Sequence, residues 1–163
     1  MPTNQSESIY NMYGNRLRVR VCGVCMEGDK ILLVKHNGLG ELGFCWMPPG
    51  GGVEYGGSLE SNLAREFKEE TGLDVTVGKF LFVHEFLQPP LHAIELFFAV
   101  SVTGGTLALG IDPEMDINNQ IIDDLRYFSP DDIRKKKKEA FHQIFLKITP
   151  GKNILNMQGY FKI

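Results

Sequence analysis

The chain has 163 residues, 43% of them hydrophobic and 23% charged, with a formal net charge of -3 at pH 7. That length suits one domain with a sizeable core. The negative balance argues against broad binding to a nucleic-acid backbone, which needs a basic surface. No apolar run is long enough to span a bilayer. Met1 to Tyr10 is polar and lacks the basic-then-apolar layout of a secretory leader. A cytoplasmic protein is expected, with no nucleic-acid polymer and no membrane as partner; a homodimer is left open.

Residues 1–16 read as a polar, loose arm and 17–163 as a single domain. Leu17 to Met26 alternates as a strand, Glu27-Gly28-Asp29-Lys30 is a tight turn, and Ile31 to His36 returns. Cys22 and Cys25 have the spacing of a C-x-x-C, but residues three apart on a strand point to opposite faces. They therefore read as small buried hydrophobes, as does the unpaired Cys45. A glycine-rich loop follows, then a short extended piece, Phe44 to Met47, which Pro48-Pro49 keeps extended.

Gly51-Gly52-Val53-Glu54-Tyr55-Gly56-Gly57 feeds a helix that Ser58 caps and Gly72 stops. Two long strand-like runs, Asp74 to Leu87 and Leu91 to Thr103, meet at Gln88-Pro89-Pro90. An acidic loop leads to a further strand, Ile122 to Phe128. Ser129-Pro130-Asp131 opens a second helix expected to reach about Ile148. Lys135 to Lys138 reads as its solvated face. The last dozen residues add a strand or pack as a tail. Strands before and after a helix, with a second helix at the end, give an α/β layered domain.

The chemistry concentrates in the first helix. Glu66, Glu69 and Glu70 are spaced i, i+3, i+4, which gathers them on neighbouring parts of one face. Like charges that close repel, so the cluster is costly unless a cation sits among them. Carboxylate oxygens suit Mg²⁺ or Mn²⁺. Leu59, Leu63 and Phe67 mark the apolar stripe, with Ser61 and Lys68 on the wet side. Glu66 and Glu70 fall beside the stripe, whereas an ordinary solvated face would set them opposite. Arg65 reaches Glu69 one turn on and can orient it. Gly50, Gly51 and Gly52 let the backbone approach a metal or phosphate closely.

This segment resembles the box of the Nudix (MutT-like) hydrolases. Gly51 opens it, and Arg65, Glu66, Glu69, Glu70, Gly72 and Leu73 fall in register. Gly57 stands where the family has its first glutamate, and Phe67 replaces the usual aliphatic residue. The resemblance implies an α/β/α sandwich with a mixed β-sheet between helices. It implies a Mg²⁺- or Mn²⁺-dependent pyrophosphohydrolase acting on a nucleoside diphosphate linked to another group. Glu66, Glu69 and Glu70 would hold the metal, with a carbonyl from Gly50 or Gly51. The general base would be Glu70, Glu69, or Glu114 of the Asp112-Pro113-Glu114 loop, where some members bring a carboxylate over the site. Trp46 and Tyr55 are candidate platforms for a nucleotide base; Phe44, Phe86, His92 and Tyr127 are weaker ones. His36 and His84 have no carboxylate at metal-ligand spacing and are not assigned as ligands. The glutamate lost at Gly57 leaves a second reading open, a catalytically weak module that binds a nucleotide metabolite. Glu54 and Glu60 are the nearby acids that would compensate for it.

Overall fold

A computed structural model describes residues 4–113, 115–148 and 152–163. Strands β1 (Arg16–Glu27) and β2 (Lys30–Asn37) form a hairpin around Gly28, whose φ is 62°. Their pairing is confined to the turn end, Met26 with Ile31 and Glu27 with Lys30. Beyond it the two strands diverge and recruit different partners.

On β1's side, β4 (Gly50–Gly52) pairs antiparallel with it and β6 (Leu91–Gly105) pairs parallel along Arg16 to Cys25. Next come β5 (Leu73–Gln88), antiparallel to β6, and β8 (Gly159–Lys162), parallel to β5. On β2's side stand β3 (Phe44–Met47) and β7 (Ile122–Phe128), both antiparallel to it. The strand order is β3-β2-β1-β6-β5-β8, a mixed sheet.

Alternation along β1 divides its side chains between two environments. Val21 and Cys25 pack with Leu63 and Phe67 of α2 (Leu59–Thr71). Cys22 and Val24 face the other core, with Phe82, Phe97, Phe128 and Phe141. The two cysteines are thus buried on opposite faces, as their spacing predicts. The aromatic at position 67 has a local reason. A Cβ on Gly23 would lie 2.3 Å from the Phe67 ring, so the glycine makes room for a side chain larger than the aliphatic residue of the Nudix box.

Two expectations need correction. Residues of the supposed loose arm form a helix, α1 (Asn4–Tyr13). Ile9 is 2% exposed and packs with Val34, Met115, Ile121 and Ile122. Burial of that one apolar side, not the composition of the segment, holds it down. The second helix is also much shorter. α3 covers Pro130–Arg134, closed by a Ser129/Asp132 capping box. Then come 3₁₀ turns at Lys138–Ala140 and Gln143–Lys147. Four consecutive lysines repel along a helix. Beyond them Phe141 bridges to Trp46, and Phe141 and Ile144 enter the core, so the chain leaves helical geometry to bury them. The lysines themselves are exposed.

Candidate active site

Helix α2 forms where the sequence places it. The Ser58 side chain accepts from the Ser61 amide, and Gly72 closes the helix in the left-handed region at φ 73°. Leu63 and Phe67 anchor the helix with no measurable exposure. That anchoring drags the neighbouring face inward, so Glu66 is 9% and Glu70 only 4% exposed. Both are buried carboxylates, which need compensation.

The compensation comes from several elements. The Gly50 amide donates to Oε2 of Glu70 at 3.0 Å. Arg65 donates to Glu69 at 2.9 Å and lies 3.1 Å from Glu66 and 3.4 Å from Glu54. Arg65 therefore orients two of the three helix carboxylates, and Glu54 reaches the arginine from the loop that contains Gly57. A Cβ on Gly51 would sit 2.4 Å from the Glu66 carboxylate, so this glycine is what allows loop and carboxylate to close on each other. Burial, reinforced by Glu66, raises the Glu70 carboxyl well above the usual carboxylate range; the Gly50 amide and Arg20 only partly offset this. His36 on β2 has Nε2 3.7 Å from Glu70, and that nitrogen has no hydrogen-bond partner. Burial and then Arg20 push the His36 imidazole down to about 3, so it sits there neutral.

Glu66, Glu69 and Glu70 share one wall of a cavity of about 450 Å³, with Gly50, Gly51 and Gly52. The volume suits a small organic ligand. Arg18 and Arg20, alternate residues of β1, line it too. The site therefore sets three carboxylates and two guanidinium groups around one space.

Behind Arg20 lies a feature that the sequence analysis missed. Arg20 Nη1 is 2.8 Å from Oε1 of Glu95, which is 1% exposed. Oε2 of Glu95 lies 2.9 Å from Nδ1 of His84 and 2.7 Å from Nε2 of His142. Burial opposes the Glu95 charge, but His142, His84 and Arg20 outweigh it and hold the carboxyl well below the usual range. Two histidines and a glutamate this close resemble a metal set. The tautomer argues otherwise. The Ile144 amide donates to Nδ1 of His142, which places that ring's proton on Nε2, facing Glu95. A protonated nitrogen has no lone pair for a cation. The trio works as a hydrogen-bonded brace for Arg20.

Of the remaining sequence candidates, Glu114 lies outside the described residues; its neighbour Asp112 lines the cavity. Trp46 is 6% exposed and packs edge-on against Phe128 at 4.7 Å, in the core rather than at the cavity. Tyr55 is fully exposed on its loop and stands off the cavity. Phe86 and His92, the weaker aromatic candidates, do line it.

A family profile described as NUDIX domain matches residues 14–147. The chain is similar to an ADP-ribose pyrophosphatase of Methanocaldococcus jannaschii, 38% identical over 107 residues, 62% of this chain and 63% of that protein. It is also similar to YjhB of Bacillus subtilis, 36% identical over 99 residues, 56% of this chain and 45% of that protein. The matches thus span less than two thirds of either relative. A NUDIX hydrolase from Nitrosomonas europaea superposes with a TM-score of 0.67 at 22% identity, over 81% of this chain and 85% of that one. At that identity the likeness is one of fold, and it agrees with the mixed sheet and helices described above.

Proposed function

Because the chain belongs to the Nudix family by its match over residues 14–147, we propose that it is a divalent-metal-dependent pyrophosphohydrolase. Its substrate would be a nucleoside diphosphate linked to another group, and the named activity of the archaeal relative makes ADP-ribose the first compound to test. The observation that carries this reading is the pairing of Glu66, Glu69 and Glu70 with Arg18 and Arg20 around one cavity.

The residues fit a Mg²⁺ or Mn²⁺ ion. Glu70 is a buried carboxylate beside a second, Glu66, and its raised proton affinity is what a cation would relieve. Glu66, Glu69 and Glu70, with a carbonyl of Gly50 or Gly51, would hold the ion. A bound divalent cation neutralises the diphosphate oxygens and lowers the pKa of the attacking water. Arg65 keeps Glu66 and Glu69 oriented. Arg18 and Arg20 attract and position the diphosphate, with Arg20 held by Glu95. Water attacks one phosphorus, the bridging P–O bond breaks, and the proton passes to a carboxylate. Glu70 and Glu69 are the helix candidates for that acceptor, through whichever carboxylate oxygen the ion leaves free. Positioning and charge neutralisation supply most of the acceleration in such phosphoryl chemistry.

The alternative, a catalytically weak nucleotide-binding module, has the missing glutamate at Gly57 in its favour. Glu54 beside Arg65 weakens that case. The test is product release from ADP-ribose, other nucleoside diphosphate sugars, dinucleotides and nucleoside triphosphates, with and without Mg²⁺. Metal-dependent release of AMP and ribose 5-phosphate from ADP-ribose is the expected result. Inertness across the whole panel would transfer the assignment to the binding module.

A further inference from the structure

Helix α1 precedes the family match, which begins at residue 14. It is nevertheless part of the cavity: Ile9, Tyr10 and Tyr13 line it. The helix and the residues just after it are tied to two separate loops. Ser6 Oγ donates to the Gly38 carbonyl at 3.0 Å, on the loop after β2. The Asn15 amide donates to the Pro90 carbonyl at 2.8 Å, on the turn between β5 and β6. Between these ties, buried Ile9 presses the helix against Val34, Ile121 and Ile122.

Arg18 connects the helix to the carboxylate wall. Its guanidinium carbon lies 3.8 Å from the Tyr13 ring centroid, a cation–π stack. A Cβ on Gly52, in the glycine-rich loop, would lie 3.4 Å from Arg18 Nη2. A single side chain therefore spans from the loop expected to face the diphosphate to the aromatic edge of α1. Phe86, Leu91 and Leu146 add apolar surface to the same cavity. The lining thus combines charged groups suited to phosphate with apolar and aromatic surface, part of it supplied by α1.

We propose that α1 is a specificity element that seats the nucleobase half of the substrate, with Tyr10 and Tyr13 as its contact residues. This deepens the proposed hydrolase reading and rests on it for the identity of the diphosphate. The chemistry recognised is a flat aromatic ring one ribose away from phosphate. An aromatic side chain offers such a ring a stacking surface with no requirement for a particular hydrogen-bond pattern. A sugar phosphate without a base would gain nothing from it.

The experiment compares binding of AMP and of ribose 5-phosphate by calorimetry in the unaltered chain and in Tyr10→Ala, Tyr10→Phe and Tyr13→Ala. Tyr10 is 40% exposed, so its replacement spares the fold even if Tyr13→Ala does not. AMP affinity should fall roughly tenfold or more in Tyr10→Ala, the scale of a lost base–aromatic contact. It should be retained in Tyr10→Phe, and ribose 5-phosphate affinity should stay within about twofold in both Tyr10 variants. Unchanged AMP affinity in both alanine variants overturns the assignment. So does a wild type that binds ribose 5-phosphate as tightly as AMP, or that binds neither. Because these readouts need no turnover, they are independent of whether the protein proves to be a hydrolase.

Discussion

Glu95 and His142 meet at 2.7 Å although 47 positions separate them, one in the first half of β6 and the other at the start of a 3₁₀ turn near the C-terminus. The contact ties the C-terminal segment to the floor of the cavity through the same carboxylate that grips Arg20. Its energetic consequence depends on pH. Glu95 is held well below the usual carboxylate range in the folded protein, so the folded state binds its proton less readily than the unfolded chain. The stabilisation is therefore present above the unfolded value of about 4.3 and lost as pH falls through the folded one. Glu95→Gln leaves Arg20 without its buried partner and should cost about 3 kcal/mol at pH 7. Urea melts at stepped pH check this: the gap between wild type and variant should hold from pH 7 to about 5 and narrow only below about 4.3. A gap that stays constant below about pH 4 would contradict the ionised brace.

The helix carboxylates give a prediction about metal. A ligand that binds the native state alone raises the melting temperature as its concentration rises. Mg²⁺ or Mn²⁺ should do so here, and Glu69→Gln or Glu70→Gln should blunt the response. For Glu70→Gln the apo protein should be as stable as wild type or more so, because the variant removes a buried charge repelled by Glu66. Calorimetry that returns the same weak Mg²⁺ affinity for wild type and both variants would remove the cation from this helix.

The cysteines give a negative control for any metal chemistry. Cys22 and Cys25 are 1% exposed and belong to different cores. Burial pushes both thiols up, so neither offers a thiolate near neutral pH. Both should resist alkylation in the native protein, and no zinc should copurify. Stoichiometric zinc that disappears in Cys22→Ser would overturn the packing role.

Legibility followed sequence range. The α2 site was readable because its cap, its apolar stripe and its glutamates all lie within 15 residues of one another, from Ser58 to Gly72. The brace was not, because it joins three strands to a distant turn. Half of it left a trace: a hairpin turning at Pro89-Pro90 that pairs Gln88 with Leu91 must also set His84 opposite Glu95. Nothing comparable points to His142. Helix α1 was hidden by its polar composition, yet Ile9, Met12 and Tyr13 carry the i, i+3, i+4 spacing of one buried side. Trp46 misled for a different reason. A large aromatic beside a glycine-rich loop serves packing as well as binding, and only its edge contact with Phe128 decides between them.

Gly57 bears on whether the site is fully equipped. The Nudix box has glutamate there, and Glu54 now supplies an acid to Arg65 from the same loop. That contact is a weak substitute, since the Glu54 side chain is 62% exposed and screened by solvent. Gly57 itself has no positive φ that a side chain would strain. A Cβ would, however, meet Nδ2 of Asn62 at 2.6 Å. Asn62 accepts from the Glu54 amide and donates to the Ser58 carbonyl, so Gly57→Glu must shift a side chain that holds the loop to the helix. The expected stability cost is about 1 kcal/mol, the price of one displaced hydrogen bond. At saturating Mg²⁺ the added acid should tighten metal binding and leave turnover equal to wild type or higher. Glu70→Gln should lower turnover by about 10²-fold or more, the scale of lost acid–base assistance. The comparison is made on ADP-ribose, with melting temperature recorded for each variant. Should Gly57→Glu lose activity while keeping its melting temperature and its metal affinity, the glycine would have a role of its own in the loop, and Glu54 would be the acid this site is built around.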